Sequence, residues 1–430
     1  VGRQHLALGP VQFSVAPVAA IIFSTMSNAT PTSTPGIKES WLIFMLAAIQ
    51  FTHIMDFVIM MPLGPQLMRV FDISPREFGF LVSAYTFSAA ISGFLSAFFI
   101  DRFDRKDALL ILYLGFTIGT LACALAPNFS LLLLARVLAG AFGGVLGALV
   151  LAIIGDAVPE QRRGSATGKV MAAFSVASIG GIPIGLYLAS HASWHAPFYL
   201  LTALCLVVLA MSWRLLPPMR EHLLNHVPQH PGKLIVSIFT NTNCLWAFSL
   251  MVALSLAGFT VVPFLSPYMV ANVGFEEVEL SYIYLFGGLA TVVTSQWAGR
   301  LADKFGKLRV FTIAAIFSTI PILLVTHLPQ VPHWQAFIVT TAFFIVFGAR
   351  FVPAMSMITS SVEPRMRGSF MSINSSVQQM ASGLAAFLAG LLITNAPGHE
   401  ELEGFGTVGY IACGFTILSM FLASRLKKVS

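Results

Sequence analysis

The sequence predicts an all-α polytopic membrane protein: twelve transmembrane helices in two pseudo-symmetric six-helix bundles. Three observations predict it. Hydrophobic residues make up 57% of the 430-residue chain and charged residues 10%, with a mean hydropathy of +0.83, so the natural solvent of this chain is lipid. Twelve apolar runs are each long enough to cross a hydrocarbon core of about 30 Å as a helix of about 20 residues. The chain also repeats itself: a shift of 202 brings Phe57, Pro65 and Asp101 onto Phe259, Pro267 and Asp303. A shift of 204 brings Val158, Arg163, Gly164 and Ser165 onto Val362, Arg367, Gly368 and Ser369.

The first bundle is residues 41–216. Its spans are expected near 41–66, 77–100, 107–126, 130–155, 165–191 and 196–216. Span 1 reads WLIFMLAAIQFTHIMDFVIMMPLGPQ and holds Asp56; span 4 holds Arg136; span 5 holds Gly181, Pro183 and Gly185. A β-barrel would alternate polar and apolar residues instead. Residues 217–242, rich in Pro and His, are a linker, and 243–425 form the second bundle. Its spans are expected near 245–271, 279–302, 309–327, 333–359, 368–394 and 405–424, followed by a tail at 426–430. Residues 1–40 are an extension whose last part, SNATPTSTPGIKES, is polar and expected to be disordered. A chain starting at Met26 would lack its first 25 residues.

Lys and Arg set the orientation, because cytoplasmic loops carry the positive excess. Of the 24 basic residues, all but Arg69, Arg76, Arg136 and Arg350 fall at the two ends, in the linker or in loops of one face. The opposite face carries Glu276, Glu277, Glu279, Glu400, Glu401 and Glu403. Both termini are therefore expected in the cytoplasm, and the expected location is a bacterial inner (plasma) membrane. The net charge of +6 is this topology signal and calls for no nucleic acid. Cys123, Cys205, Cys244 and Cys413 show no CxxC spacing, so no disulfide framework or metal site is expected. His222, His226 and His230 share a helical spacing, but Pro228 and Pro231 interrupt it.

Asp56 carries the functional reading. An Asp at a helix centre in lipid costs roughly 2.5–3.5 kcal/mol, so it faces a bundle interior or a watery cavity and marks an ion, proton or substrate path. His53 lies one turn away on the same face. Arg136 is a permanent cation inside an apolar run, able either to hold Asp56 ionised or to bind an anion; Arg350 is the second such cation. Met60, with Met55 and Met61, offers an adaptable apolar surface. Tyr85, Ser175, Ser178, Tyr284, Asn374, Gln378 and Gln379 are candidate cavity lining. A structural ion pair between Asp56 and Arg136, and plain packing for His53 and the methionines, are the dull alternatives.

The loops after spans 2 and 8 resemble those of the major facilitator superfamily. The stretch Gly299-Arg-Leu-Ala-Asp303-Lys304-Phe-Gly306-Lys307 is similar to that family's Gly-x-Leu-Ala-Asp-Arg-x-Gly-Arg-Lys loop. The first copy keeps Asp101, Arg102, Arg105 and Lys106 but puts Ala97 and Asp104 where the family has Gly. Arg105 is positioned to pair with a carboxylate at the end of span 4, Asp156 being the candidate, so that these loops would latch one conformation. Arg136-Val-Leu-Ala-Gly140 resembles the family's embedded Arg-x-x-x-Gly element of proton-coupled members. Gly180-Gly181-Ile-Pro183-Ile-Gly185 is similar to the span 5 element of twelve-helix drug:proton antiporters and arabinose-efflux-type exporters.

The resemblance implies a major facilitator fold and proton-coupled efflux, by alternating access, of a small organic compound such as a drug or sugar. The chain is expected to act as a monomer in a lipid bilayer, driven by the proton gradient without a cofactor. Uptake or uniport of an organic anion held by Arg136 or Arg350 is the alternative, and a non-transporting membrane sensor a third reading. Neither a nucleotide-binding P-loop nor a hydrolase signature occurs, so the chain is not expected to be an enzyme.

Overall fold

A computed structural model describes residues 39–220, 231–363, 366–396 and 401–429. Residues 1–38 and the linker histidines His222, His226 and His230 lie outside them. The first half comprises α1 (Glu39–Ile59), α2 (Gly64–Phe71), α3 (Pro75–Ser96), α4 (Arg105–Leu125), α5 (Phe129–Ala157), α6 (Glu160–Val176), α7 (Ile182–His191) and α8 (Ala196–Leu215). The linker segment contains α9 (Pro231–Thr240). The second half comprises α10 (Thr242–Phe259), α11 (Val262–Tyr268), α12 (Leu280–Phe305), α13 (Lys307–Thr326), α14 (His333–Ser360), α15 (Arg367–Leu392) and α16 (Phe405–Arg425). A π-helical turn, Ala177–Gly181, joins α6 to α7, and a second, Met269–Val273, extends α11.

Ten helical stretches among the described residues are long and apolar enough to cross a membrane, with α6–α7 and α10–α11 each counting as one. α12 and α15, of 26 residues each, complete the twelve. Both are more polar for visible reasons. α12 ends in Arg300, Asp303 and Lys304, whereas the polar residues of α15 include Asn374, Ser376 and Ser382, buried among neighbouring helices. Lipid-facing positions read the other way: Ile111, Leu134, Trp213, Trp297 and Phe317 are each more than 60% exposed, a surface that only a bilayer or a partner tolerates on this scale.

The repeat extends to local chemistry. Val158 and Val362 offer their carbonyls to Arg163 Nε at 2.9 Å and Arg367 Nε at 3.4 Å. Ser74 N donates to Glu77 Oε2 at 2.9 Å; 202 residues on, Glu276 N donates to Glu279 Oε2 at 2.9 Å. The chain turns left-handed at Asp72 (φ 51) and again at its counterpart Gly274 (φ 89). The run expected as one span over 41–66 breaks between Ile59 and Gly64, where Pro62 and Pro65 supply no backbone N–H. Span 2 stops at Ser96, and Asp101 and Arg102 fall in a 3₁₀ turn, Ile100–Arg102.

The halves meet where α3 lies along α15, where α12 crosses α7 and its π turn, and where α2 meets α11. At the first contact a Cβ on Gly79 would stand 2.9 Å from the Ala386 carbonyl and 3.1 Å from Gly390 Cα, so only small residues let these backbones approach. With an even number of spans, Glu39 and Arg425 share one face, termed here the terminal face. On the far face Arg69 pairs with Glu277 across the halves, and Phe78 meets Phe264 at 5.7 Å between ring centroids. At the terminal face the ion pairs of Arg162 with Glu39 and of Arg105 with Asp101 and Asp156 tie the first half together, and that of Arg220 with Asp104 ties the start of the linker to it.

Candidate functional site

Asp56 occupies the last turn of α1 and is fully buried. Arg136, from the second turn of α5 and 1% exposed, donates through Nη1 to Asp56 Oδ2 at 2.8 Å and to the Asp56 carbonyl at 3.2 Å. That carbonyl is among the last four of the helix, which lack an intrahelical partner. Thr120 on α4 donates to Asp56 Oδ1 at 3.1 Å. The guanidinium carbon sits 4.3 Å from the centroid of the Tyr85 ring on α3, within cation–π range. One carboxylate and one cation are thus enclosed by four helices of the first bundle.

Local sequence explains the approach. Gly140 lies one turn after Arg136, and a Cβ there would collide with the Tyr85 backbone. The Arg-x-x-x-Gly spacing therefore presses α5 onto α3 and brings the guanidinium over the Tyr85 ring. Phe57 stacks on Tyr85 at 5.4 Å and meets Phe259 at 6.0 Å. Those two phenylalanines are repeat counterparts, so a single pair of rings connects the buried charges to the junction of the halves. His53, one turn below Asp56, has its ring 6.5 Å from that of Tyr85 and 5.9 Å from that of Phe116.

The other residues singled out in the sequence are dispersed. Met60 is buried in the break after α1, and Met55 packs against Gly181 and Gly185. The π turn Ala177–Gly181 ends two residues before Pro183, whose ring nitrogen cannot donate to the preceding turn. Ser178 bonds back to Phe174 O at 2.9 Å where α12 crosses at Gly288. Tyr284 bonds Ser266 at 2.8 Å inside the second half. Asn374 is buried on α15 and Gln378 is half-buried one turn on. Arg350 is not brought to Asp56: it is 2% exposed, donates to Thr416 Oγ1 on α16 at 2.9 Å and reaches Ser318 on α13 at 3.5 Å. Among the described residues no carboxylate pairs with it.

The loop after α3 forms a charged knot. Arg105 is 7% exposed in its side chain and bonds Asp156 Oδ2 at 2.9 Å and Asp101 Oδ1 at 2.7 Å. Arg102 is exposed, and Lys106 donates its backbone N–H to Asp104 Oδ1 at 2.8 Å. Asp104 also accepts from Met219 N at 3.1 Å and from Arg220 Nε at 2.8 Å, tying the start of the linker to this loop. Burial pushes the Asp104 carboxyl up, but the bonds from Met219, Arg220 and Lys106 outweigh it and hold it below the usual aspartate range. Its φ of −54° needs no glycine, whereas the counterpart Gly306 has φ 94°.

The second loop lacks this knot. Lys307, in the place of Arg105, bonds the Ser356 carbonyl at 3.2 Å, and the position matching Asp156 is Ser360. Asp303 and Lys304 are exposed. A Cβ on Gly299 would make only ordinary contact with Val352 at 3.7 Å, so Ala97 in the first copy meets no steric objection.

Sequence reasoning passed over Thr120. It belongs to a buried stripe, Tyr113, Thr117 and Thr120, on one face of α4; Tyr113 bonds Thr52 at 2.9 Å. The helical spacing of three polar residues in an apolar run was the available signal.

Two matches to the family model described as Major Facilitator Superfamily cover residues 46–265 and 247–430. The chain is 27% identical over 397 residues to the uncharacterized MFS-type transporter YceJ of Bacillus subtilis, covering 91% of this chain and 97% of that one. It is 24% identical over 380 residues to the inner membrane transport protein YdhP of Escherichia coli K12, covering 85% and 91%. A D-xylose-proton symporter has the same fold, with a TM-score of 0.75, 16% identity, and coverage of 91% of this chain and 100% of that one. A bacterial homolog of the human lysosomal transporter Spinster, in an inward-facing conformation, gives a TM-score of 0.72 at 18% identity over 92% and 100%. These matches and the repeated six-helix halves make this chain a multi-pass transporter, not an enzyme, belonging to the Major Facilitator Superfamily.

Proposed function

We propose that this transporter exports a small organic compound, such as a drug or sugar, in exchange for protons by alternating access, with Asp56 as proton carrier and Arg136 as its modulator. The observation that carries the reading is the ion pair at 2.8 Å between two fully enclosed groups. A carboxylate so far from water stays ionised only while a cation holds it; if the pair parts, a proton takes the cation's place. The Phe57–Phe259 contact supports the coupling, because movement of one half against the other shifts the stack that bears on Tyr85 and hence on Arg136. Export over import rests on the resemblance of the Gly180-to-Gly185 element.

The basic residues support both termini in the cytoplasm, the bacterial relatives support an inner membrane, and one chain supplies both halves, so a monomer suffices. A membrane potential of about 100 mV contributes about 2.3 kcal/mol per charge moved, enough for roughly fiftyfold accumulation. The test is proton release from the detergent-purified protein on addition of L-arabinose, tetraphenylphosphonium or benzoate, with Asp56→Asn in parallel. Release that Asp56→Asn abolishes is expected; release undiminished in that variant would overturn the proposal.

One observation favours a second reading. Arg136 is engaged by Asp56, but among the described residues the buried cation Arg350 meets two hydroxyls and the Phe347 ring, at 5.5 Å, and no carboxylate, so an organic anion would be bound there. Benzoate binding that Arg350→Gln removes and Asp56→Asn leaves in place would select it.

A further inference from the structure

The ion pair is bordered by buried polar atoms that no protein group satisfies: Gln50 Oε1, both ring nitrogens of His53, the Tyr85 hydroxyl and Arg136 Nε. Each such atom costs about 1–3 kcal/mol if left bare, and neighbouring ones are an ordinary seat for ordered water. They also follow one another. Gln50, His53 and Asp56 come at three-residue steps along α1, each a neighbour of the next, winding about 120° around the helix over about 9 Å at about 1.5 Å per residue. The approach requires Gly143: a Cβ there would stand 2.6 Å from the Tyr85 hydroxyl and 3.3 Å from His53 Nε2. Both polar atoms therefore border one point on α5, close enough for a single water to bond both. Towards the terminal face the same strip continues through Ala47, which is part-exposed.

We infer that His53, Tyr85 and Gly143 form a water-holding proton passage, leading from Asp56 past Gln50 towards the terminal face. The proton then moves inside the first bundle while the organic substrate moves between the two bundles. The inference rests on the proton-coupled reading above. In the outward step a water at Gly143 takes the proton from the Asp56 carboxyl and gives one of its own to His53 Nε2. The imidazolium turns about its Cβ–Cγ bond and releases that same Nε2 proton to a water held by Gln50 Oε1. Asp56 is left as the carboxylate facing Arg136, and the neutral ring turns back with its Nδ1–H tautomer unchanged. One proton has moved, and no bond is left unmade. The titratable and charged groups around this route are Asp56 on α1, Tyr85 on α3, Tyr113 and Cys123 on α4, and Arg136 on α5, with Cys205 on α8 beyond Tyr113.

The experiment is rapid-scan infrared spectroscopy of the purified full-length protein after a pH jump, following the protonated-carboxyl band that Asp56→Asn removes. No transported substrate is required. His53→Gln is expected to slow the band's appearance about tenfold or more, and Tyr85→Phe, which keeps the ring under Arg136, to slow it several-fold. Both should reach the parent amplitude, which a purely structural role would not preserve alongside the change in rate. Gly143→Ala, which fills the water seat without altering any charge, is expected to act like His53→Gln. If that variant fails to fold, the other two decide. Parent rates in His53→Gln and Tyr85→Phe would overturn the passage and leave Asp56 coupling intact. Absence of any Asp56-dependent band would overturn the coupling reading and the passage with it.

Discussion

Parting the Asp56–Arg136 pair by mutation should reveal strong coupling in a double-mutant cycle. Opposite charges about 4 Å apart at an effective dielectric constant of about 20 attract by about 4 kcal/mol. Removing one partner of a buried pair strands the other and costs about 3–5 kcal/mol. Arg136→Gln takes from Asp56 both the 2.8 Å bond to its carboxylate and the 3.2 Å bond to its carbonyl, leaving Thr120 alone. Asp56→Asn leaves a guanidinium supported mainly by the Tyr85 ring. The double variant replaces both charges by amides that can bond each other, where a polar contact between membrane helices is worth about 0.6 kcal/mol on average and about 1.7 at most. The double variant should therefore be more stable than the sum of the singles implies, by about 2–4 kcal/mol. Reversible unfolding in mixed detergent and dodecyl sulfate measures all four corners. Additive effects, with an interaction term under about 0.5 kcal/mol, would refute the reasoning.

Three further outcomes follow from neighbouring geometry. Arg350→Met should leave thermal stability unchanged or raise it, because a buried cation without a carboxylate is replaced by an apolar chain of similar length; a marked fall in the unfolding temperature would mean that an anion holds it. Gly140→Ala should cost about 1–3 kcal/mol in the same unfolding assay, since its methyl group meets the Tyr85 backbone rather than a yielding side chain; parent stability would show that α5 does not need this approach. Asp104→Gly should weaken the helix cap by only about a few tenths of a kcal/mol but free Met219 and Arg220, so trypsin should cut the linker faster at neutral pH. Because the Asp104 carboxyl is held low when folded, its contribution is present at neutral pH and fades only as acidification passes below about 3.9, the ordinary aspartate value. Pepsin should accordingly distinguish parent from variant less and less as the pH is lowered through that range, and a constant difference would remove Asp104 from the tie.

What was legible in the sequence follows what lipid makes expensive. A carboxylate or guanidinium in an apolar run is costly wherever it points, so Asp56, Arg136 and Arg350 stand out from composition alone. Their partners do not, because partnership depends on packing. Arg136 and Arg350 look alike as lone cations, yet Gly140 brings the first over Tyr85 and next to a carboxylate 80 positions away in sequence, whereas the second meets Ser318, Thr416 and the Phe347 ring and, among the described residues, no carboxylate. Thr120 escaped notice for the complementary reason. A hydroxyl in a helix bonds its own carbonyl four residues back, here Phe116 O at 3.1 Å, so a threonine in a span costs little and carries no signal until a charge lies beside it.

The repeat shows the same limit at the scale of the fold. Matching residues revealed two halves, and the halves share capping bonds and left-handed turns that no composition measure contains. Function, however, resides where the repeat fails. The first half has Asp156 where the second has Ser360, and Asp104 where the second has Gly306. Asp56 itself falls on Gly258 under the shift that pairs Phe57 with Phe259. A symmetric shell with its ion pair in one half can change that pair's environment by moving the other half, and the Phe57–Phe259 contact is where such motion reaches it. Phe259→Ala therefore discriminates between a coupling path and simple packing: it leaves every charge in place, so a change in the protonation rate of Asp56 after a pH jump would have to travel through the stack.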